Sequence, residues 1–274
     1  MRGRSGFTLA ELLVAIVVFG IVGVGVSRLL MSQLRFFASV TGQRDARSVS
    51  RNALTIVREE MRMIEPRGIV SANATTFQVR VPYAVGLYCT ANTALFAPVD
   101  SLLFASAVFR GYAVRDAAGS ATYQYVASTS TPTAGTVTRC TGAPVSMTRP
   151  NASWRILSLP GSALTLASGA PVFLYQSITY ELAASTLVPG RTALWRRVAG
   201  GTDEEIAVPF GANSVFRYHV SGSATAQDAA PTDLTQVTGV ELVLVGESER
   251  TASDRPVPET APVRLSIFFR NAAN

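Results

Sequence analysis

At 274 residues the chain exceeds one average domain, yet that length also suits one long helix joined to a β-rich body, so length excludes neither. The formal net charge of +6 and the pI of 9.8 point toward anionic partners, but no Arg-rich block or aromatic-basic cluster is present, which excludes a concentrated nucleic-acid motif. Every basic side chain counted is Arg, a bias that genomic base composition explains as readily as selection for bidentate contacts.

Much of the hydrophobicity sits in one stretch. Arg2 and Arg4 precede a nearly unbroken apolar run from Phe7 to Val26, close to the ~20 residues that span a bilayer as a helix. Positive charge before the run keeps the first residues cytoplasmic and sends the rest of the chain outward, so the body is expected to be extracytoplasmic. An ordinary secretory signal places its small-residue cleavage site after the apolar run. Here the small residue, Gly6, comes before it, and Phe7-Thr8-Leu9-Ala10-Glu11-Leu12-Leu13-Val14-Ala15-Ile16 comes next.

That block resembles the prepilin cleavage motif of the type IV pilins and the type II secretion pseudopilins. The resemblance implies a cut between Gly6 and Phe7 by a membrane prepilin peptidase, N-methylation of Phe7, and retention of the apolar run on the mature chain. It also makes Glu11 the fifth mature residue, an ionisable group that is costly in a membrane without a partner. In the family this glutamate pairs with the N-terminal amine of a neighbouring subunit, so assembly would offset the desolvation of both charges. The competing reading of Glu11 is a plain anchor with its carboxylate at the interface. Gly20, Gly23 and Gly25 each lower helix propensity by about 1 kcal/mol relative to Ala, and their spacing makes no clean GxxxG face.

From Val26 to Ile64 there is no proline and one glycine, Gly42, so the helix is expected to continue beyond the membrane. Val49, Ala53, Ile56, Val57, Met61 and Ile64 recur at three- and four-residue steps and predict an apolar stripe over a sheet. Arg44, Arg47, Arg51, Arg58 and Arg62 lie mostly off it and read as solvated or paired surface charges rather than as phosphate contacts. Pro66 and Gly68 stop the helix. Thr76 to Val81 then alternates polar with apolar, and Phe104 to Val114 and Tyr123 to Val126 are rich in β-formers, which predicts sheet. Ala127 to Gly135 reads as an exposed loop.

Pro171 to Leu182 and Thr192 to Val198 predict a hairpin across a Pro189-Gly190 turn. Val215 to Val220, Val237 to Val245 and Arg264 to Phe269 predict three more strands. This late arrangement resembles, more loosely than the N-terminus, the C-terminal sheet of PilW-like minor pilins and of the type II secretion pseudopilin J. Val70 to Ala170 carries no assignable motif.

Cys89 and Cys140, the two cysteines, fall in the part expected to face an oxidising compartment and predict one disulfide. Closing that loop would remove roughly 4 kcal/mol of unfolded-state freedom. A metal site built from two cysteines alone is not expected. His219, the single histidine, reads as structural, and Asp203, Glu204 and Glu205 as a solvated loop rather than a calcium site. Asn73-Ala74-Thr75 and Asn151-Ala152-Ser153 match a short glycosylation sequon by coincidence. With no G-x-S-x-G context and no phosphate-cradling loop, neither catalytic residues nor a cofactor are expected.

The expected fold is therefore α+β and pilin-like: a leader at 1–6, a transmembrane helix at 7–27, its amphipathic continuation at 28–65, and a β-rich body at 66–274. The resemblance implies a minor pilin or minor pseudopilin in the inner membrane, later built into a filament. Its expected partners are other minor and major pilin-like subunits, the prepilin peptidase and, before assembly, membrane lipid. Two alternatives stand beside it: a DNA-binding minor pilin with nucleic acid as partner, and a singly anchored exoprotein.

Overall fold

A computed structural model describes residues 8–65, 67–89, 93–96, 101–115, 123–134, 155–159, 166–249, 251 and 257–269. One helix, α1 (Leu9–Met61, 53 residues), runs without a break for about 80 Å. Its start is fixed by a capping box: the Thr8 hydroxyl accepts the Glu11 N–H at 3.3 Å, and Glu11 Oε2 accepts the Thr8 N–H at 3.0 Å. The last turns bury Ala46, Ser50, Ala53, Leu54, Val57 and Met61, with Ile64 just beyond. The predicted stripe is thus present but rotated. Leu54 faces the core and Ile56 is exposed, because the 3.6-residue period carries position 56 past the edge of the buried face.

After β1 (Ile69–Ala72) come two long strands, β2 (Thr76–Tyr88) and β8 (Pro171–Ala184), which pair antiparallel from Thr76↔Glu181 to Leu87↔Pro171. Between them lie β3 (Thr93–Phe96), α2 (Ser101–Ser106), β4 (Gly111–Arg115), β5 (Tyr123–Ala127), β6 (Thr133–Ala134) and β7 (Arg155–Ser158). Beyond β8 lie β9 (Thr192–Val198), β10 (Asp203–Phe210), β11 (Val215–Val220), β12 (Val237–Glu247) and β13 (Thr260–Phe268). The described strands form one sheet in the order β11-β12-β10-β9-β8-β2-β3-β7-β6, with β13 on β12, β1 on β2, β4 on β8 and β5 on β4. All described pairings are antiparallel. A long apolar helix joined to a large antiparallel sheet is the expected α+β layout.

The alternation read from Thr76 to Val81 is present, with Phe77, Val79 and Val81 buried, and it breaks at Pro82, where the register with β8 shifts. Phe77 stacks on Tyr180 with ring centroids 5.1 Å apart and meets Phe216 edge-on at 4.7 Å. These rings lie with Val57, Met61 and Ile64 in the main core between helix and sheet. The far halves of β2 and β8 leave the helix and build a second core around Tyr112, Val114, Leu157, Val172 and Leu174. The motif-free stretch before Ala170 thus supplies a lobe of its own on the same two strands.

Three expectations fail. The stretch read as an exposed loop from Ala127 to Gly135 contains β6, whose Thr133 and Ala134 pair with Ile156 and Arg155 of β7. Phe104 is not in a strand: it lies in α2, and sheet begins again only at Gly111. Asp203, Glu204 and Glu205 do not form a loop but open β10, where Asp203 and Glu204 sit opposite Arg197 and Arg196 of β9. Opposite charges across a strand pair make that placement favourable.

Candidate functional site

The long helix divides into a free half and a clamped half. From Leu9 to Phe37 its large apolar side chains, among them Leu13, Ile16, Phe19, Val22, Leu30 and Phe37, are exposed. Among the described residues α1 is the helix long and apolar enough to cross a membrane, which fits single-pass anchoring. Nothing lies within 4 Å of an added Cβ at Gly20, Gly23 or Gly25, and Ser27 donates to the Gly23 carbonyl at 2.8 Å.

Ser39 reaches the body, its hydroxyl donating to Glu259 Oε1 at 2.8 Å. Farther along, the helix crosses β12 at Gly246. An added Cβ there would stand 2.1 Å from the Ala46 carbonyl oxygen and 2.5 Å from Ser50 Oγ. Ser50 is fully buried and returns its hydroxyl to that same Ala46 carbonyl at 3.2 Å.

At the far end a polar clamp holds the helix. Arg196 of β9 donates from Nε and Nη2 to Glu60 Oε1 at 3.1 and 2.7 Å, and from Nη1 to Glu204 Oε2 at 3.3 Å. The buried Tyr180 hydroxyl donates to Glu60 Oε2. Burial works against the Arg196 charge, and the hydrogen bonds and charge of Glu60 more than reverse it, holding its pKa above the ordinary value. Replacing Glu60 with Ala strands a half-buried guanidinium. The expected loss is about 3 kcal/mol, read by denaturant unfolding, with Glu60→Gln losing less because it still accepts from Arg196 and Tyr180. Equal stability of wild type and Glu60→Ala would show that the clamp does not hold the helix.

Of the sequence-predicted site residues, Gly6 and Phe7 lie outside the described residues, as does Cys140. Glu11 sits in the first turn, tied to Thr8 by the capping box. Cys89 is buried, and no described cysteine is free. His219 packs on the Phe268 ring at 4.6 Å, and its Nε2 lies 3.0 Å from Ser266 Oγ. Burial lowers its pKa, so it stays a neutral structural side chain near pH 7. Glu205 is occupied in the β8–β9 turn, where it accepts the Ser185 and Thr186 hydroxyls at 2.5 and 2.8 Å. Among the described residues no group of three His, Cys, Asp or Glu side chains is placed to hold a metal. Glu60, Arg196 and Gly246 carried no local signal strong enough to single them out, although a glycine within a strand does mark close backbone approach.

One family model matches the chain, the prokaryotic N-terminal methylation motif, over residues 1–27. No curated protein and no solved structure matches it. The chain thus carries the prokaryotic N-terminal methylation motif on a long apolar helix joined to an antiparallel sheet body, an arrangement that supports a type IV pilin-like protein.

Proposed function

We propose that this chain is a minor pilin or minor pseudopilin, a structural subunit that primes or caps a type IV pilus or a type II secretion pseudopilus. The observation that carries the reading is the helix α1, bare and apolar for its first half and clamped to a large β-rich body for the rest. A bare apolar rod must be covered, first by lipid and then by the rods of neighbouring subunits. The body, with its extra lobe between β2 and β8, is large for a subunit repeated all along a filament, which favours a place at one end. In this reading prepilin peptidase cuts between Gly6 and Phe7, Phe7 is methylated, and Cys89 pairs with Cys140.

Glu11 is then a docking group. Among the described residues its carboxylate is held by Thr8, and in the assembled state it exchanges that local cap for a neighbour's N-terminal amine. The test is the mass of the mature N-terminal peptide from membranes of a host with a working prepilin peptidase. A peptide starting at methylated Phe7 is expected. An intact leader, or a cut beyond Val26, overturns the proposal. Glu11→Val should leave the cut between Gly6 and Phe7 unchanged, the peptide differing only by the substituted side chain, and abolish incorporation into sheared filaments; normal incorporation would reduce the helix to a plain anchor.

A further inference from the structure

Arg44, Arg47, Arg51, Arg58 and Arg62 are all exposed. At about 100° per residue they fall within about 60° of arc on α1, along one flank of the helix and about a quarter-turn from the centre of its buried face. They make a single-file line about 27 Å long. None of the five makes an ion pair among the described residues. Like charges at the i,i+3 and i,i+4 steps 44/47, 47/51 and 58/62 weaken the helix when nothing neutralises them. The line therefore works against stability in the isolated chain.

We infer that this arginine line is the docking surface for a carboxylate-bearing helix of a different subunit running alongside α1. The inference rests on the reading of the chain as a filament subunit. Membrane lipid is out of reach, because Arg44 stands about 27 Å along the helix beyond Val26. A second copy of this chain, packed helix against helix, lacks the complement. Its body carboxylates Asp203, Glu204, Asp228, Glu241 and Glu247 are engaged by Arg197, Arg196, Arg217 and Arg191. On α1 itself Glu60 is taken by Arg196, which leaves Asp45 and Glu59, about 21 Å apart on another flank. Duplex DNA fits poorly, since its phosphate strands wind across a straight line of charges and meet it only at their crossings. The line also holds no aromatic side chain for a base to stack on, Ser48 and Thr55 filling the gaps between the arginines. A helix packed alongside at 8–10 Å, with Glu or Asp at the same three- and four-residue steps, meets all five.

The test uses the full-length chain in detergent, probed in turn with each other prepilin-leader protein of the same genome, with a second copy of itself, and with a short DNA duplex. One different subunit is expected to bind. Its affinity should fall by about tenfold or more in Arg47→Glu/Arg51→Glu and in Arg58→Glu/Arg62→Glu, and on raising the salt. It should return when the carboxylates of that subunit's facing helix are changed to Arg. Binding that is equal in wild type and both double variants overturns the inference. So does charge-dependent binding to the duplex or to the second copy alone, or binding to none of the probes. Failure of the filament reading itself would show separately, as an unprocessed leader in the N-terminal mass.

Discussion

Raising the pH above 10 is expected to unfold the β-rich body cooperatively, with tyrosinate absorbance and loss of near-UV dichroism arriving together. Tyr112, Tyr175, Tyr180 and Tyr218 are buried. Burial pushes the pKa of each above its ordinary value, and for Tyr180 the Glu60 carboxylate adds to the effect. Tyr83, half-buried, is pushed up to about 12 by the same cause. The native state therefore keeps protons that the unfolded chain releases from pH 10 upward. The stabilisation from these groups is complete below pH 10 and is lost as pH rises toward the folded values. Each such tyrosine removes at most about 1.4 kcal/mol per pH unit, and only between its unfolded and folded values, so several together erode an ordinary domain stability. The alkaline limb is unusually simple to assign, because the chain has no lysine and its arginines stay charged. Gradual tyrosine ionisation from pH 10 with the dichroism intact would show that these rings are not held as described.

Gly246→Val is expected to destabilise the body by about 3 kcal/mol or more, with Gly246→Ala somewhat milder. The added Cβ meets a helix carbonyl and a buried hydroxyl that bonds to it, not the flexible end of a side chain. The helix must lift away from β12, and Ala53, Leu54 and Val57 lose close contact with the sheet. Gly201→Ala, whose Cβ would stand 3.2 Å from the Val198 carbonyl, is the mild control. Thermal unfolding of the full-length chain in detergent reads the difference. A Gly246→Val midpoint within a degree or two of wild type would mean that the helix does not seat at this crossing.

The parts of the fold carried by local pattern were legible. The hairpin of β8 and β9 arises from β-rich runs around a Pro-Gly turn, and Gly190 takes the left-handed conformation such turns need, with φ 78°. The methylation block was legible because its order, small residue before apolar run, departs from an ordinary signal. The features that stayed hidden depend on partners far along the chain. Glu60 and Arg196 are 136 residues apart, and neither is marked by its own neighbours. The Asp203-Glu204-Glu205 run looked like a solvated loop because the guanidiniums that hold two of its members lie on the preceding strand. The five arginines could be numbered before their alignment had meaning: only the long unbroken helix turns scattered positions into one edge.

The way the helix is fastened also sets how the molecule carries load. Ser39, Gly246 and Glu60 are spread along some thirty ångströms of a rod lying against the sheet. A pull directed along that rod drags all of them in parallel, so the join resists as a lap joint does, in shear. A sideways pull opens them one at a time, from one end of the seam to the other. The same fastening is therefore strong along the axis and weak across it.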